Sequence, residues 1–238
     1  MSEILKDYKD ALQFWNSAYA ARDEKSDRYD QLTPESNADV LAASKKLASI
    51  IRENLKDQKK VLDYGCGEGW AGMLLCQAGC RDVTCAEMAE NAVALVKAVQ
   101  KKLQIGDALH PLVIDENWLS TLPDASFDGI VCSNVLDVIP GNVCEQILAQ
   151  FARILQKEGK LVIGLNYHAE LKDVPEKNIA IRHGNCLYIS GTLRLVSRSD
   201  EEWTDIFSHC FSVEALHHFG WNNEQTERRR CFILRPKC

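Results

Sequence analysis

The run Val61-Leu62-Asp63-Tyr64-Gly65-Cys66-Gly67-Glu68-Gly69 places three glycines two residues apart, behind a carboxylate. A glycine-rich turn between a strand and a helix points backbone N–H groups at a ligand. It also lacks the Cβ atoms that would block close approach or forbid positive φ. The order Asp63-x-Gly65-x-Gly67-x-Gly69 differs from the Gly-x-Gly-x-x-Gly of a dinucleotide site. The tighter spacing suits a ligand without a pyrophosphate. Asp63, at the end of the strand, would repel phosphate and attract a cation.

Glu87 ends the next strand, 22 residues beyond Gly65. A carboxylate there can accept both hydroxyls of a ribose. After the third strand come Asp115, Glu116, Asn117 and Trp118. A carboxylate or amide at that place can meet the exocyclic amine of adenine, and a neighbouring Trp can lie on the ring face. Spacing does not choose among Asp115, Glu116 and Asn117. The combination describes a nucleoside that carries positive charge and no phosphate. S-adenosylmethionine, with an ammonium and a sulfonium, fits that description and NAD does not. Candidate general bases are Asp137 after the fourth strand and Tyr167 and His168 after the fifth, because open sheets bind ligands at the carboxyl ends of their strands. His217 and His218 lack an acidic neighbour in sequence and read as structural.

The elements that position these groups follow from hydrophobic periodicity. Tyr8, Leu12, Trp15 and Tyr19 recur at helical spacing, and Arg22 to Asp30 breaks the apolar pattern. Thr33-Pro34 reads as the start of a helix whose stripe is Val40, Ala43, Leu47, Ile51 and Leu55. From Lys60 short apolar runs alternate with helical patterns. Strands are expected at 61–63, 83–86, 112–114, 127–133 and 160–165, with helices at 70–78 and 91–103 and a third that carries Val143 to Leu155 and stops at Gly159. Such alternation specifies a parallel sheet covered on both faces by helices. The polar segment 172–177 reads as a loop, and 185–196 as two strands around Ser190-Gly191. A helix over 200–211 and strands at 212–219 and 230–234 complete the chain. The expected organisation is a helical extension or lid over 1–58 and a main domain over 59–238, with a cap insertion at about 170–199.

Four stretches resemble the class I S-adenosylmethionine-dependent methyltransferase family, across about Leu55 to Asn166. They are Val61 to Gly69, Ala86-Glu87-Met88, Leu122 to Leu136, and Arg153-Ile154-Leu155 ahead of Gly159 to Gly164. The run from Pro123 to Phe127-Asp128 is typical of that family's small-molecule branch. The resemblance implies an α/β fold: a Rossmann-like seven-stranded, mostly parallel sheet with helices on both faces and an antiparallel last strand. To this the present chain adds the N-terminal extension and a small inserted hairpin after the fifth strand. The cofactor implied is S-adenosylmethionine, with S-adenosylhomocysteine as product. By position, Asp63, Gly65, Gly67 and Gly69 would line the methionine moiety, with Cys66 between them in the loop. Glu87 would hold the ribose, Met88 would lie against adenine, and Asp115, Glu116 or Asn117 would meet its edge. Ser133 and Asn134 would face cofactor and substrate.

Two departures bear on the acceptor. The distance from Asp115 to Pro123 is longer than usual, which can shift the adenine contact. Ser133-Asn134-Val135-Leu136 replaces the Asn/Asp-Pro-Pro-aromatic run of amino-methylating relatives, and no Pro-Cys dipeptide occurs. Adenine, glutamine and cytosine C5 are therefore not the expected acceptors. Tyr19 and Arg22, at the polar break, are lid candidates, while Phe14 and Trp15 read as packing residues. In relatives, insertions after the fifth strand form part of the substrate cap, so acceptor specificity is expected there.

Composition bounds what remains. At 238 residues and 46% hydrophobic, the chain can bury a full core without staples. The net charge is −6, and the dense basic run Arg228-Arg229-Arg230, like the weaker Lys59-Lys60 and Lys101-Lys102, reads as solvated element ends. A duplex-binding protein shows a basic face, so nucleic acid is not an expected partner. The 10 cysteines form no Cys-x-x-Cys pair, and no metal site is expected. The first residues carry no apolar signal-peptide core, and no apolar run approaches the ~18 residues that span a bilayer. A cytoplasmic enzyme with a small-molecule substrate and no membrane partner is the expectation, with oligomeric state left open. Two other activities fit such a pocket: a catalytically silent module that binds the cofactor or its product, and aminopropyl transfer. The second needs a carboxylate pair around the fourth strand, and Asp128 and Asp137 lie too far apart for one.

Overall fold

Val61 and Leu62 are adjacent and both fully buried, yet they face different hydrophobic clusters. That is the signature of a strand covered on both sides. The computed structural model describes residues 3–20, 27–170 and 178–237. The strands are β1 (Lys60–Tyr64), β2 (Asp82–Glu87), β3 (Leu109–Val113), β4 (Phe127–Ser133), β5 (Leu155–Leu165), β6 (Ile179–Arg182), β7 (Cys186–Ile189), β8 (Thr192–Val196), β9 (Phe211–Phe219) and β10 (Arg229–Pro236). Helices are α1 (Glu3–Ala20), α2 (Asp27–Asp30), α3 (Lys45–Leu55), α4 (Trp70–Gln77), α5 (Glu90–Lys102), α6 (Trp118–Thr121), α7 (Gly141–Ile154) and α8 (Asp200–Ser208).

Seven strands form one sheet in the order β3-β2-β1-β4-β5-β10-β9. The pairs among β1 to β5 are parallel, and β10 runs antiparallel to both β5 and β9. This is the expected Rossmann-like sheet with an antiparallel last strand. One face packs Leu47, Ile51 and Leu55 of α3, Met73 and Leu74 of α4, and Val96 and Val99 of α5 against Val61, Val131 and Val162. The other packs Ile147 and Phe151 of α7 and Trp203 and Phe207 of α8 against Leu62, Ile130 and Leu161.

Several boundaries differ from expectation for local reasons. No helix starts at Thr33-Pro34. Ala38–Leu41 instead forms one 3₁₀ turn capped by Asn37, and α3 begins only after Ser44, whose side chain accepts from Leu47 N. Leu47, Ile51 and Leu55 are buried as the stripe required, whereas Val40 lies outside it and is 62% exposed. β3 starts at Leu109 and ends before Ile114, and its exposed Leu112 and Val113 lie at the edge of the sheet. α7 stops at Ile154, because Leu155 already pairs with Phe127 before a register shift. The insertion holds the expected strands around Ser190-Gly191, both with positive φ, and gains β6 as a third. The 172–177 loop and Arg22 lie outside the described residues.

α1 packs on α5 and on β8. The buried Tyr188 hydroxyl donates to the buried Asp7 carboxylate at 2.7 Å. The Arg194 guanidinium lies 3.8 Å from the Phe14 ring centroid, a cation–π contact. Phe14 therefore packs with the inserted sheet. Among the described residues no helix is long and apolar enough to cross a membrane.

Candidate active site

β1 and β4 are neighbours, but from them the strand order runs in opposite directions, to β2-β3 on one side and β5-β10-β9 on the other. An open sheet binds ligands at the carboxyl ends beside such a switch point. A cavity of about 800 Å³ lies there.

The glycine loop forms its floor. Gly65, Gly67 and Gly69 have φ of +64°, +52° and +72°, backbone that a side chain strains. A Cβ on Gly65 would stand 2.4 Å from Val135 Cγ2, and one on Gly67 2.4 Å from the Tyr19 hydroxyl oxygen. Gly69 serves a different end: it caps α4 and lets Val96 of α5 approach. Gly65 and Cys66 N–H groups donate to the carbonyl of Ala86, which fastens the loop to β2.

Glu87 closes the loop from the other side. Its Oε2 accepts from Gly67 N (3.0 Å), and its Oε1 from Met88 N (2.7 Å) and Ala89 N (3.0 Å). Met88 and Ala89 line the cavity beside it, and the Tyr8 hydroxyl donates to Met88 Sδ at 3.3 Å. Burial, with the charges of Glu116 and Glu87, pushes the Tyr8 hydroxyl pKa up to about 12. Asp115 and Glu116 also line the cavity, and Asp115 Oδ1 accepts from Asn117 N. Ser133 and Asn134 border it at the end of β4. Asn134 has φ +59°, held by its N–H on Gly164 O, by Asn166 Oδ1 on its Nδ2 and by the Ser133 hydroxyl on its Oδ1.

The structure thus gathers Tyr19, Gly65, Cys66, Gly67, Glu87, Met88, Asp115, Glu116, Ser133 and Asn134 around one cavity. It does not bring Asp63, Gly69, Asn117, Asp137 or His168 to the lining. Asp63 is buried behind the loop, where Oδ2 accepts from Gly72 N at 2.9 Å. Burial lifts its pKa to about 7 despite that bond. Asp137 is also fully buried: its carboxylate accepts from Asn166 N (2.6 Å) and its carbonyl from Val196 N. It ties β5 and β8 to the end of β4 and does not face the cavity as a general base. Burial raises its pKa as well. His168 borders a separate small hollow with Asp200, His218, Arg228 and Arg230.

Other readings change. Arg229 and Arg230 are not solvated ends: both are buried, Arg229 paired with Glu224 (2.7 Å) and Arg230 with Asp200 (3.1 Å). His218 does have an acidic partner, Asp200 of α8, at 3.1 Å. None of the described residues of the inserted sheet lines the cavity as a cap would; the sheet packs on α1, which does line it. Arg28, Asn166 and Trp221 line the cavity without having been singled out. Arg28 pairs with the buried Glu68 at 3.0 Å. Among the described residues no group of three His, Cys, Asp or Glu side chains could hold a metal ion.

Residues 62–163, which contain the loop, Glu87, Asp115 and Asn134, match the family model described as a methyltransferase domain. That segment is similar to a methyltransferase domain. Among solved structures, a Pyrococcus horikoshii OT3 protein superposes with a TM-score of 0.72 at 19% identity, covering 93% of this chain and 99% of that one. The Burkholderia thailandensis 1,6-didemethyltoxoflavin-N1-methyltransferase, with bound 1,6-didemethyltoxoflavin and S-adenosylhomocysteine, gives 0.70 at 17% identity and covers 100% of this chain and 92% of that one. A Clostridium acetobutylicum ATCC 824 S-adenosylmethionine-dependent methyltransferase gives 0.63 at 13%, over 82% and 92% of the two chains. At these identities the likeness is one of fold. The comparison with curated proteins yields no match.

Proposed function

We propose that the protein transfers the methyl group of S-adenosylmethionine to a small-molecule acceptor and releases S-adenosylhomocysteine. The charge of the cavity carries this reading. Glu68, Glu87, Asp115 and Glu116 line it, and Arg28 is the one cationic side chain among the described lining residues. Four carboxylates oppose a pyrophosphate and suit a ligand with an ammonium and a sulfonium. Glu87, tied to the glycine loop through Gly67 N, is the group for the ribose hydroxyls. Asp115 or Glu116 is the group for the adenine amine, with Met88 against the ring. Arg28, on Glu68 and near the loop, is the cation for the methionine carboxylate.

When bound, S-adenosylmethionine supplies a methyl group already activated on sulfur. The residues then need mainly to hold the acceptor atom in line and keep water out. The burial of Asp137 and the separate placement of His168 support a mechanism in which neither removes a proton. The cavity's volume of about 800 Å³, with Tyr8, Trp15 and Tyr19 of α1 along it, supports a small acceptor. The test is to incubate the protein with methyl-labelled S-adenosylmethionine and cell extract fractionated by size. Label is expected in the small-molecule fraction. Label in protein or nucleic acid would overturn the acceptor class, and tight S-adenosylhomocysteine binding without label in any fraction would make the protein a silent binding module.

A further inference from the structure

We infer that Trp221 is a stacking platform for the acceptor, and that the acceptor is a planar aromatic ring. This rests on the methyltransferase reading above. The cofactor groups, namely the glycine loop, Glu87 and Asp115, follow β1, β2 and β3 on one side of the switch point. That leaves the half of the cavity beyond β4, β5 and the β9–β10 connection for the second substrate. Trp221 borders the cavity from that connection, and Asn166 from the end of β5.

Trp221 is built into place without being part of the core. It belongs to neither large hydrophobic cluster and remains 37% exposed. One ring face lies on the Arg229 guanidinium, whose carbon is 3.4 Å from the ring centroid. Arg229 is itself fixed by two-pronged bonds to Glu224 and by Asn166 Oδ1. Glu224 also accepts from Trp221 N at 2.9 Å. The next residue, Asn222, makes three hydrogen bonds to the start of α3: its N–H to Ala43 O, its Nδ2 to Ala42 O, and its Oδ1 from Lys45 N. On the other side Gly220 is needed, because a Cβ there would stand 2.6 Å from Thr226 O. A large aromatic ring anchored this firmly, with a buried cation against one face, borders the cavity as a fixed wall. Trp offers a wide, rigid face at little entropic cost, and a flat ring uses it best.

Ligand-observed NMR on the protein saturated with S-adenosylhomocysteine tests this with size-matched ring pairs, each an aromatic heterocycle and its ring-saturated counterpart. Aromatic members are expected to bind about tenfold or more tightly than their saturated partners. Trp221→Ala should erase the preference while S-adenosylhomocysteine still binds, and Trp221→Phe should keep most of it. Equal binding within the pairs, no binding by any aromatic member, or a preference that survives in a folded Trp221→Ala variant would overturn the proposal. The ring-pair comparison on the unmodified protein needs no variant. If S-adenosylhomocysteine itself failed to bind, the underlying methyltransferase reading would fall instead.

Discussion

Burial lifts the Asp63 carboxyl pKa to about 7, although Gly72 N donates to it. In the unfolded chain the same group titrates near 4. The native state therefore holds its proton more tightly, and the stability this contributes is present below about pH 4 and is lost as pH rises through 7. At about 1.4 kcal/mol per pKa unit the loss is a few kcal/mol. Asp63→Asn keeps an oxygen for Gly72 N and removes the titration. Urea unfolding at pH 5 and pH 8 should show the parent losing stability relative to the variant at the higher pH, and a constant difference would contradict the placement of this charge. Gly67 makes a second residue-scale prediction. Ala there needs φ near +52° and meets the Tyr19 hydroxyl, so Gly67→Ala should weaken cofactor binding by roughly 1–2 kcal/mol, read by calorimetry. Gly65, Gly67, Glu87 and Asn134 were legible as cavity residues because their places depend on short spacings at strand ends, whereas Gly69 turned out to cap α4. Asp137 and His168 were placed at the right edge of the sheet, but spacing does not say which way a side chain turns. Arg229 was illegible, because a buried guanidinium depends on Glu224 and Asn166 meeting it in the folded chain.

α1, which lines the cavity, and the sheet β6-β7-β8, which does not, are joined to each other by Asp7 and Tyr188. Tyr188→Phe leaves the Asp7 carboxylate buried without this donor, a loss of about 1–3 kcal/mol. Because α1 carries Tyr8, Trp15 and Tyr19 into the cavity, the variant should also be cut faster within α1 by limited proteolysis. Unchanged stability and cleavage would mean that the two elements are not coupled through this bond. α8 opens with a capping box in which Ser199 and Glu202 satisfy each other's backbone. Ser199→Ala should cost about 1 kcal/mol in thermal unfolding. Strand and helix alternation made β1, β2, β4, β5, α4, α5 and α7 legible, since each carries its own apolar period. β6 was missed because it is four residues, three of them exposed, and has only β7 to pair with. The false start at Thr33-Pro34 arose because a cap and proline there lead into a turn closed by Thr33 and Ser36, while α3 takes its cap from Ser44.

At the scale of the molecule, the cavity lies at the reversal of strand order, bordered by glycines and carboxylates that follow β1, β2 and β3 and by Asn166 and Trp221 that follow β5 and β9. The sheet order was legible through the family resemblance, while the closure of the cavity by α1 depends on long-range contacts that no local pattern reports. The central claim is that the carboxylate-lined half holds S-adenosylmethionine. Titration calorimetry with S-adenosylhomocysteine, on the parent and on Glu87→Ala, tests it most directly. Removing the carboxylate that takes the ribose hydroxyls should cost ~3 kcal/mol, on the order of a hundredfold in affinity, with NAD giving no heat in either protein. Binding of NAD in place of S-adenosylhomocysteine, or equal affinity in a folded Glu87→Ala variant, would contradict the account.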